Sequence, residues 1–177
     1  KIRDENGYYL AQFCFNRGAL LKFVIIVPDE KLHIAAAVNQ HRTQVDLLIT
    51  SGGVGPTHDD ITYESIAHAF AVNTQPEPSL IDRIQLYFGA RTTAAHLKMG
   101  YLPENATLNF PFNAHWPTVS VENVYIFPGV PHIFQAKLKT IADQFQGIKH
   151  HLTTLQIKGD EGTIADLLAA AEVEFGV

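Results

Sequence analysis

The sequence predicts a three-layer α/β domain in which a mostly parallel sheet is covered by helices on both faces. Segments with strand composition alternate along the chain with segments of helical spacing, which is the pattern of repeated βαβ units. Residues 21–27 (LKFVIIV) and 45–50 (VDLLIT) are nearly continuous apolar runs, as expected for strands buried on both faces. Because the crossovers of such units are right-handed, we expect helices on both faces of the sheet.

Composition and charge exclude several classes of protein. The 177 residues fit one domain with a real core, and 13 Lys and Arg against 18 Asp and Glu give a net charge of −5, which argues against a general nucleic-acid binder. The single cysteine, Cys14, cannot form an internal disulfide, and no Cys or His group has zinc spacing. The apolar runs are shorter than the roughly 20 residues that span a bilayer, and the start is unlike a signal peptide. We therefore expect a cytoplasmic domain that binds neither nucleic acid nor membrane.

Helical spacing and turn residues place six helices. The first ends before Gly18, which is a typical helix stop. The second follows Pro28-Asp29-Glu30, where Asp29 is a candidate N-cap. The predicted helices cover residues 4–16, 31–43, 61–70, 77–88, 132–145 and 160–175.

Further strands are expected in the second half of the chain. Residues 119–127 (VSVENVYIF) have strand composition, with a bend or hairpin at Glu122-Asn123. The prolines between residues 90 and 118 favour loops or short strands there, and residues 152–157 are a candidate last strand.

Three loops follow predicted strands, and the fold places them on one rim. They are residues 28–30, 51–60 and 128–131. In a doubly wound sheet, ligands bind outside the carboxyl ends of the strands. The rim is therefore the expected binding site.

The loop at residues 51–60 (SGGVGPTHDD) is rich in glycine. Gly52, Gly53 and Gly55 follow a buried strand and precede a helix, so their amides and the helix N-terminus form a concavity suited to phosphate. The alternative is a tight strand-to-helix turn without a ligand, since the loop lacks the ending of a P-loop and does not fit G-x-G-x-x-G.

The end of this loop adds polar groups, namely Thr57, His58, Asp59 and Asp60. Adjacent carboxylates beside phosphate oxygens fit a bridging divalent cation such as Mg²⁺. Alternatively, Asp60 caps the following helix, with Glu64 completing a start like a capping box. Asp29 has the same two interpretations, and Gly129 either exposes amides to the ligand or belongs to a rigid Pro-Gly turn.

Residues 50–62 (TSGGVGPTHDDIT) resemble the signature of the molybdenum-cofactor-biosynthesis domain family. The similarity is greatest to the branch that contains the competence/damage-inducible protein A family and the N-terminal module of animal-type FAD synthases. Supporting matches are Asp4-Glu5-Asn6, Val27-Pro28-Asp29-Glu30, Leu102-Pro103, and residues 119–127, 127–131 (FPGVP) and 159–165. The resemblance implies a molybdopterin-binding-like α/β domain at residues 1–148 and the start of a small C-terminal α+β subdomain, here truncated, at 149–177.

The resemblance also implies a ligand and a chemistry. The ligand is a pterin or dinucleotide held through its phosphate, and Asp29 and Asp60 match the acidic positions tied to activity in relatives that insert molybdenum. In the nearer relatives the chemistry is hydrolysis of a pyrophosphate bond in FAD or ADP-ribose with a divalent metal (Mg, Mn or Co). The expected site comprises catalytic Asp29, Asp59 and Asp60, metal-binding Asp59 and Asp60, ligand-binding Ser51, Gly52, Gly53, Val54, Gly55, Pro56, Thr57, His58, Pro128, Gly129 and Val130, and in addition Asp4 and Asn6.

Three functions are open at this point. The first is a metal-dependent nucleotide pyrophosphatase. The second is molybdopterin adenylylation or molybdenum insertion, and the third is a non-catalytic module that binds a pterin or nucleotide. The resemblance further implies a homo-oligomer, either a dimer or a trimer.

Overall fold

A four-stranded sheet lies at the centre of the structure, a computed structural model that describes residues 3–110, 116–147, 156, 158 and 160–175. Its strand order is β1-β6-β5-β4, and β2 and β3 form a separate antiparallel pair. The strands are β1 (Leu48–Ser51), β2 (Thr74–Pro76), β3 (Tyr101–Pro103), β4 (Thr107–Asn109), β5 (Thr118–Val121) and β6 (Val124–Phe127).

Six helices overlap the predicted ones, and a seventh, the short α5 (Ala94–Lys98), lies where the prolines favoured loops or short strands. Those of the described residues are α1 (Glu5–Arg17), α2 (Lys31–His41), α3 (Thr62–Ala69), α4 (Pro78–Phe88), α5 (Ala94–Lys98), α6 (Pro131–Thr140) and α7 (Ala165–Phe175), with short 3₁₀ turns at Gly89–Arg91, Ala142–Gln144 and Glu161–Ile164. None of these helices is long and apolar enough to cross a membrane.

Alternate side chains of β6 enter two separate cores. Val124 and Ile126 pack with Val38 of α2 and Ile66 of α3, whereas Phe127 packs with the α1 and α6 residues on the opposite face. This alternation is the period-2 pattern of a strand that is buried on both faces. The α/β class and the helices on both faces are therefore confirmed.

The strand directions differ from the prediction of a mostly parallel sheet. β1 and β6 are parallel, but β5 pairs antiparallel with both β6 and β4. The reason is the hairpin at Glu122-Asn123, which the sequence suggested and which reverses the chain between β5 and β6. Glu122 adopts a φ of +51° there, the left-handed conformation that such a tight reversal requires.

The prediction of a buried strand at residues 21–27 is wrong. No ladder includes these residues, and Val24 and Ile26 are 52% and 85% exposed. An apolar run forms a strand only when a neighbour satisfies its main-chain groups, and none of the described strands lies against this one.

Local signals account for both ends of α1. Asp4 caps α1 by accepting from the Gly7 amide at 2.9 Å, and Gly18 ends that helix in the left-handed region at φ +70°. The predicted N-cap at Asp29 is wrong: Glu30 occupies that position of α2, and no side-chain bond caps the helix.

The C-terminal predictions are only partly covered by the structure. The helix predicted over 160–175 is present as a 3₁₀ turn followed by α7. Most of the candidate strand at 152–157 lies outside the described residues. The division of the chain at residue 148 therefore stays a prediction.

Replacing Leu138 by Ala tests the core between the sheet and α6. Leu138 is fully buried, so Leu138→Ala is expected to lower the free energy of unfolding by about 2–5 kcal/mol. The matched control is Leu86→Ala on α4, where the leucine is 85% exposed and the change should stay within about 0.5 kcal/mol. Urea denaturation measures both, and equal losses would contradict the assigned core.

Candidate functional site

The rim of the sheet brings two of the predicted loops into contact. β1 and β6 are parallel neighbours, so their following loops leave the sheet side by side. The Gly52 amide donates to the Phe127 carbonyl at 2.9 Å, and a Cβ on Gly129 would lie 3.2 Å from the Gly52 Cα. The main chains of the two loops therefore lie close together, and a side chain on Gly129 would crowd Gly52.

Asn6 fastens α1 to both loops. Its Nδ2 donates to Ser51 Oγ at 2.9 Å and to the Gly129 carbonyl at 2.8 Å. Because a carbonyl can only accept, these bonds fix the orientation of the amide. Asn6 Oδ1 is buried and has no partner among the described residues. The site thus presents a buried acceptor that lacks a donor such as a hydroxyl or a ring N–H.

A cleft of about 1180 Å³ opens beside these loops. It brings in the third predicted loop, because Asp29 lies on its wall. The predicted site residues around it are Asp4, Asn6, Asp29, Ser51, Gly52, Gly53 and Gly129. Residues from all three predicted loops thus line one cleft, but the predicted catalytic residues Asp59 and Asp60 are not among them.

Two glycines of the loop are required by the turn itself. Gly52 and Gly53 have φ values of +104° and +66°, which L-residues with a Cβ rarely adopt. A Cβ on Gly53 would also overlap the Thr62 hydroxyl, which donates to the Gly52 carbonyl at 2.9 Å. The strand-to-helix turn thus explains these glycines whether or not a ligand binds.

Asp60 stabilises the loop and does not cap α3. Its Oδ2 accepts from the Thr57 amide at 2.9 Å and from the Thr57 hydroxyl at 2.5 Å, whereas Ile61 occupies the N-cap of α3 without a side-chain bond. Burial raises the pKa of Asp60, but bonds from the Thr57 hydroxyl and from the Gly55 and Thr57 amides outweigh it and leave the pKa below its ordinary value. The carboxylate therefore stays ionised.

Asp59 and His58 project from the same loop into solvent. The nearby Thr57 hydroxyl, followed by the main-chain amide of Asp59, is the main cause that lowers the pKa of Asp59. Within the part of the chain that the structure describes, no group of three or more His, Cys, Asp or Glu side chains is placed to hold a metal ion. A cation at Asp59 and Asp60 would therefore need further ligands from a bound molecule.

Lys98 lies beside the acidic end of the loop. Its Nζ donates to the Asp60 carbonyl at 3.0 Å and lies 3.6 Å from the Glu64 carboxylate. Gly55, Asp60 and Lys98 line a small depression that is separate from the large cleft. The sequence offered no signal for Lys98, because this lysine lies 38 positions from Asp60 on the short helix α5.

Of the remaining predicted residues, Val54 supports the glycine loop and Val130 is exposed. The Val54 side chain packs against the core formed by α2 and α3, so it supports the loop from behind. Val130 is the N-cap of α6 and is 46% exposed. Pro56 and Pro128 are half-buried.

Comparison with known proteins reveals one domain family. The family described as "Probable molybdopterin binding domain" matches residues 1–160. The crystal structure of the protein CinA, of unknown function, from Thermoplasma acidophilum has a TM-score of 0.73 and 26% identity, covering 81% of this chain and 88% of that one.

Curated relatives carry names from two groups. A "Putative competence-damage inducible protein" from Clostridium beijerinckii is 34% identical over 73% of this chain and 33% of its own length. A "Probable FAD synthase" from Caenorhabditis briggsae is 30% identical over 80% of this chain and 31% of its own length. The chain thus spans about one third of these two relatives.

A double-mutant cycle tests the contact inside the turn. Gly53→Ala is expected to cost about 2–4 kcal/mol of unfolding free energy, because left-handed strain adds to the overlap with the Thr62 hydroxyl. In a Thr62→Ala background the same change should cost about 1–2 kcal/mol less, since the overlapping atom is gone. Chemical denaturation of the four proteins measures the coupling, and additive costs would contradict this packing.

The Asp60 carboxylate should make stability depend on pH. Its pKa is lower in the folded chain than in the unfolded one, so its contribution is complete above the unfolded pKa of about 3.9 and is lost as pH falls through the folded pKa. Asp60→Asn should therefore cost about 1 kcal/mol near pH 6 and progressively less below pH 4. Thr57→Val, which keeps the carboxylate but removes one donor, should reduce this pH dependence only in part. Denaturation at several pH values measures it, and a constant cost would contradict the assignment.

Proposed function

The chain belongs to the molybdopterin-binding domain family, and we propose that it binds a phosphate-bearing nucleotide or pterin at the Gly52–Gly129 contact and hydrolyses the pyrophosphate bond of FAD or ADP-ribose. The observation that carries this proposal is the meeting of two bare main-chain loops beside a buried, unpartnered Asn6 Oδ1. Main chain without side chains leaves the loop amides open to phosphate oxygens from the cleft side, and the Asn6 amide oxygen accepts from a hydroxyl or ring N–H, which ribose and pterin both carry.

We infer that Asp59 and Asp60 hold a divalent cation shared with the substrate, which then has to reach from the Gly52–Gly129 contact in the cleft to the acidic end of the same loop. Asp59 and Asp60 are adjacent carboxylates, and the lowered pKa of each keeps it ionised at neutral pH. Mg²⁺ is usually bound by one or two carboxylates together with phosphate oxygens, so a site with few protein ligands is suitable. The cation would neutralise charge that develops on the phosphate oxygens.

Asp60 and Asp29 suit different tasks. The lowered pKa of Asp60 makes it a poor proton acceptor, because a general base works best when its pKa lies near the operating pH. Its fixed hydrogen bonds to Thr57 suit a stationary negative charge. Asp29 lies exposed on the cleft wall, and we assign to it the orientation of the attacking water.

The names of the relatives support an adenine dinucleotide as substrate. The similar Caenorhabditis briggsae protein is named a probable FAD synthase, and FAD is both the product of that activity and a pyrophosphate. This chain spans 31% of that protein, so the proposed reaction is confined to the site described here.

A second candidate is binding without catalysis. It is favoured by the absence, among the described residues, of three metal-ligating side chains in one group. Under this alternative the loops hold a molybdopterin or nucleotide, and Asp60 only stabilises its turn.

Product analysis separates the two candidates. The purified chain is incubated with FAD or with ADP-ribose and with Mg²⁺, Mn²⁺ or Co²⁺, and the nucleotides are separated by chromatography. We expect AMP together with FMN or ribose 5-phosphate, and none after EDTA treatment. Asp60→Asn should lower the rate at least about 100-fold, a typical loss for an electrostatic group in the transition state.

A matched variant distinguishes chemistry from loop stability. Thr57→Val removes a hydrogen bond to Asp60 but keeps its charge, so the rate should fall by less than about tenfold. Equal losses in the two variants would assign Asp60 a structural role. Absence of AMP from both substrates would contradict hydrolysis and favour the binding module, which equilibrium dialysis with FAD would then detect.

A further inference from the structure

A small depression beside α3 brings a lysine to the acidic end of the glycine loop. Its walls include Asp60 from the loop, Glu64 from the first turn of α3 and Lys98 from the last position of α5. Among the described residues, no other lysine or arginine lines this depression. Lys98 is therefore the basic group to consider when the charge of this part of the site is counted.

The Lys98 ammonium is shared between the main chain and a carboxylate. Its Nζ donates to the Asp60 carbonyl at 3.0 Å and lies 3.6 Å from Oε1 of Glu64, which is longer than an ordinary hydrogen bond. The side chains of Lys98 and Glu64 are 33% and 44% exposed, so water screens the pair and it contributes little to stability. The pair is therefore weak enough for another cation to take the place of the lysine.

The charges at the end of the loop leave room for one divalent cation. Asp59, Asp60 and Glu64 are three acidic residues, and Lys98 adds one positive charge beside them. The Lys98 charge also reaches Asp59, whose pKa is lowered mainly by the Thr57 hydroxyl and its own main-chain amide and further by the charges of His58 and Lys98. With Glu64 matched by Lys98, the two aspartates together carry the charge that one divalent cation neutralises.

Glu64 is a potential third carboxylate ligand that Lys98 occupies. Glu64 and Asp60 line the same depression, and the Lys98 ammonium lies between the Glu64 carboxylate and the Asp60 carbonyl. In this arrangement no three His, Cys, Asp or Glu side chains of the described residues are placed to hold a metal ion. Each further carboxylate on Mg²⁺ or Mn²⁺ would take a position that a water or a phosphate oxygen otherwise fills.

We propose that Lys98 is a positioning residue for the divalent cation, and that it holds Glu64 away from the Asp59–Asp60 pair so that phosphate oxygens of the substrate complete the coordination. The bond to the Asp60 carbonyl fixes the main chain of the pair, and the ammonium charge offsets Glu64. Metal binding thus becomes dependent on the substrate. This inference rests on the proposed function, because the cation and the phosphate belong to that site.

Binding of Mn²⁺ alone tests the proposal, measured on the full chain through the electron paramagnetic resonance signal of the free ion. Lys98→Met removes the charge and keeps a long side chain, and it should tighten Mn²⁺ binding at least about tenfold, since a unit charge about 4 Å away acts on this scale near a protein surface. Lys98→Arg should stay within about threefold of the original chain. Lys139→Met, at an exposed lysine of α6, changes the net charge equally and should leave the affinity unchanged.

Variants of Glu64 separate its recruitment from a general effect of charge. The double variant Lys98→Met/Glu64→Gln should return the Mn²⁺ affinity to within about threefold of the original chain. Glu64→Gln alone should weaken binding about threefold or more, because Lys98 then opposes the cation without a partner. Inorganic phosphate should tighten Mn²⁺ binding to the original chain at least about threefold and should have no effect on Lys98→Met. Thermal unfolding checks that the Tm of each variant stays within about 5 °C.

Unchanged or weaker Mn²⁺ binding by folded Lys98→Met would overturn the proposal. Tighter binding that persists in the double variant would also overturn it, because Glu64 would then have no part in the effect. If Lys98→Met does not fold, Glu64→Gln decides, and an unchanged affinity in that variant overturns the proposal. None of these readouts requires cleavage of FAD or ADP-ribose, so a chain that cleaves neither but shows the expected order of affinities would contradict the hydrolysis and support the role of Lys98.

Discussion

The parallel pairing of β1 with β6 is the constraint on which the candidate site depends. It sets the bond from the Gly52 amide to the Phe127 carbonyl and thereby places two loops, from distant parts of the chain, at one edge. Phe127 is completely buried between α1 and α6, so the strand end is held by the core. β6 thus ends at a buried residue, and the loop that holds the exposed Gly129 begins directly after it.

Asn6 extends this constraint to the first helix. A single buried amide spans Ser51 and Gly129, and removal of either acceptor would leave a buried donor unsatisfied. On the other side, the Asp60 carboxylate fixes the far end of the glycine loop through Thr57. The loop is therefore fastened at both ends by side chains, while the main chain between them stays accessible.

Local signals in the sequence explain what could be predicted. Helix ends follow from caps such as Asp4 and Gly18, and the Glu122-Asn123 reversal follows from polar residues inside an apolar run. The strand prediction at residues 21–27 is wrong for a different reason. An apolar run indicates that its side chains need to be buried, but it does not show whether a neighbouring strand is present. Lys98 was missed for a similar reason, because its contact with Asp60 depends on the packing of α5 and on no spacing in the chain.

The position of Asn6 has a consequence for how the domain assembles. Its bonds join groups that are 45 and 123 residues apart, and contacts of such separation are closed late because they carry the largest loop-closure entropy. The rim can therefore be complete only after α1 has docked on the sheet. A nascent or nicked chain with α1 undocked would leave the proposed ligand pocket unassembled, so ligand binding would report that the first helix is in place.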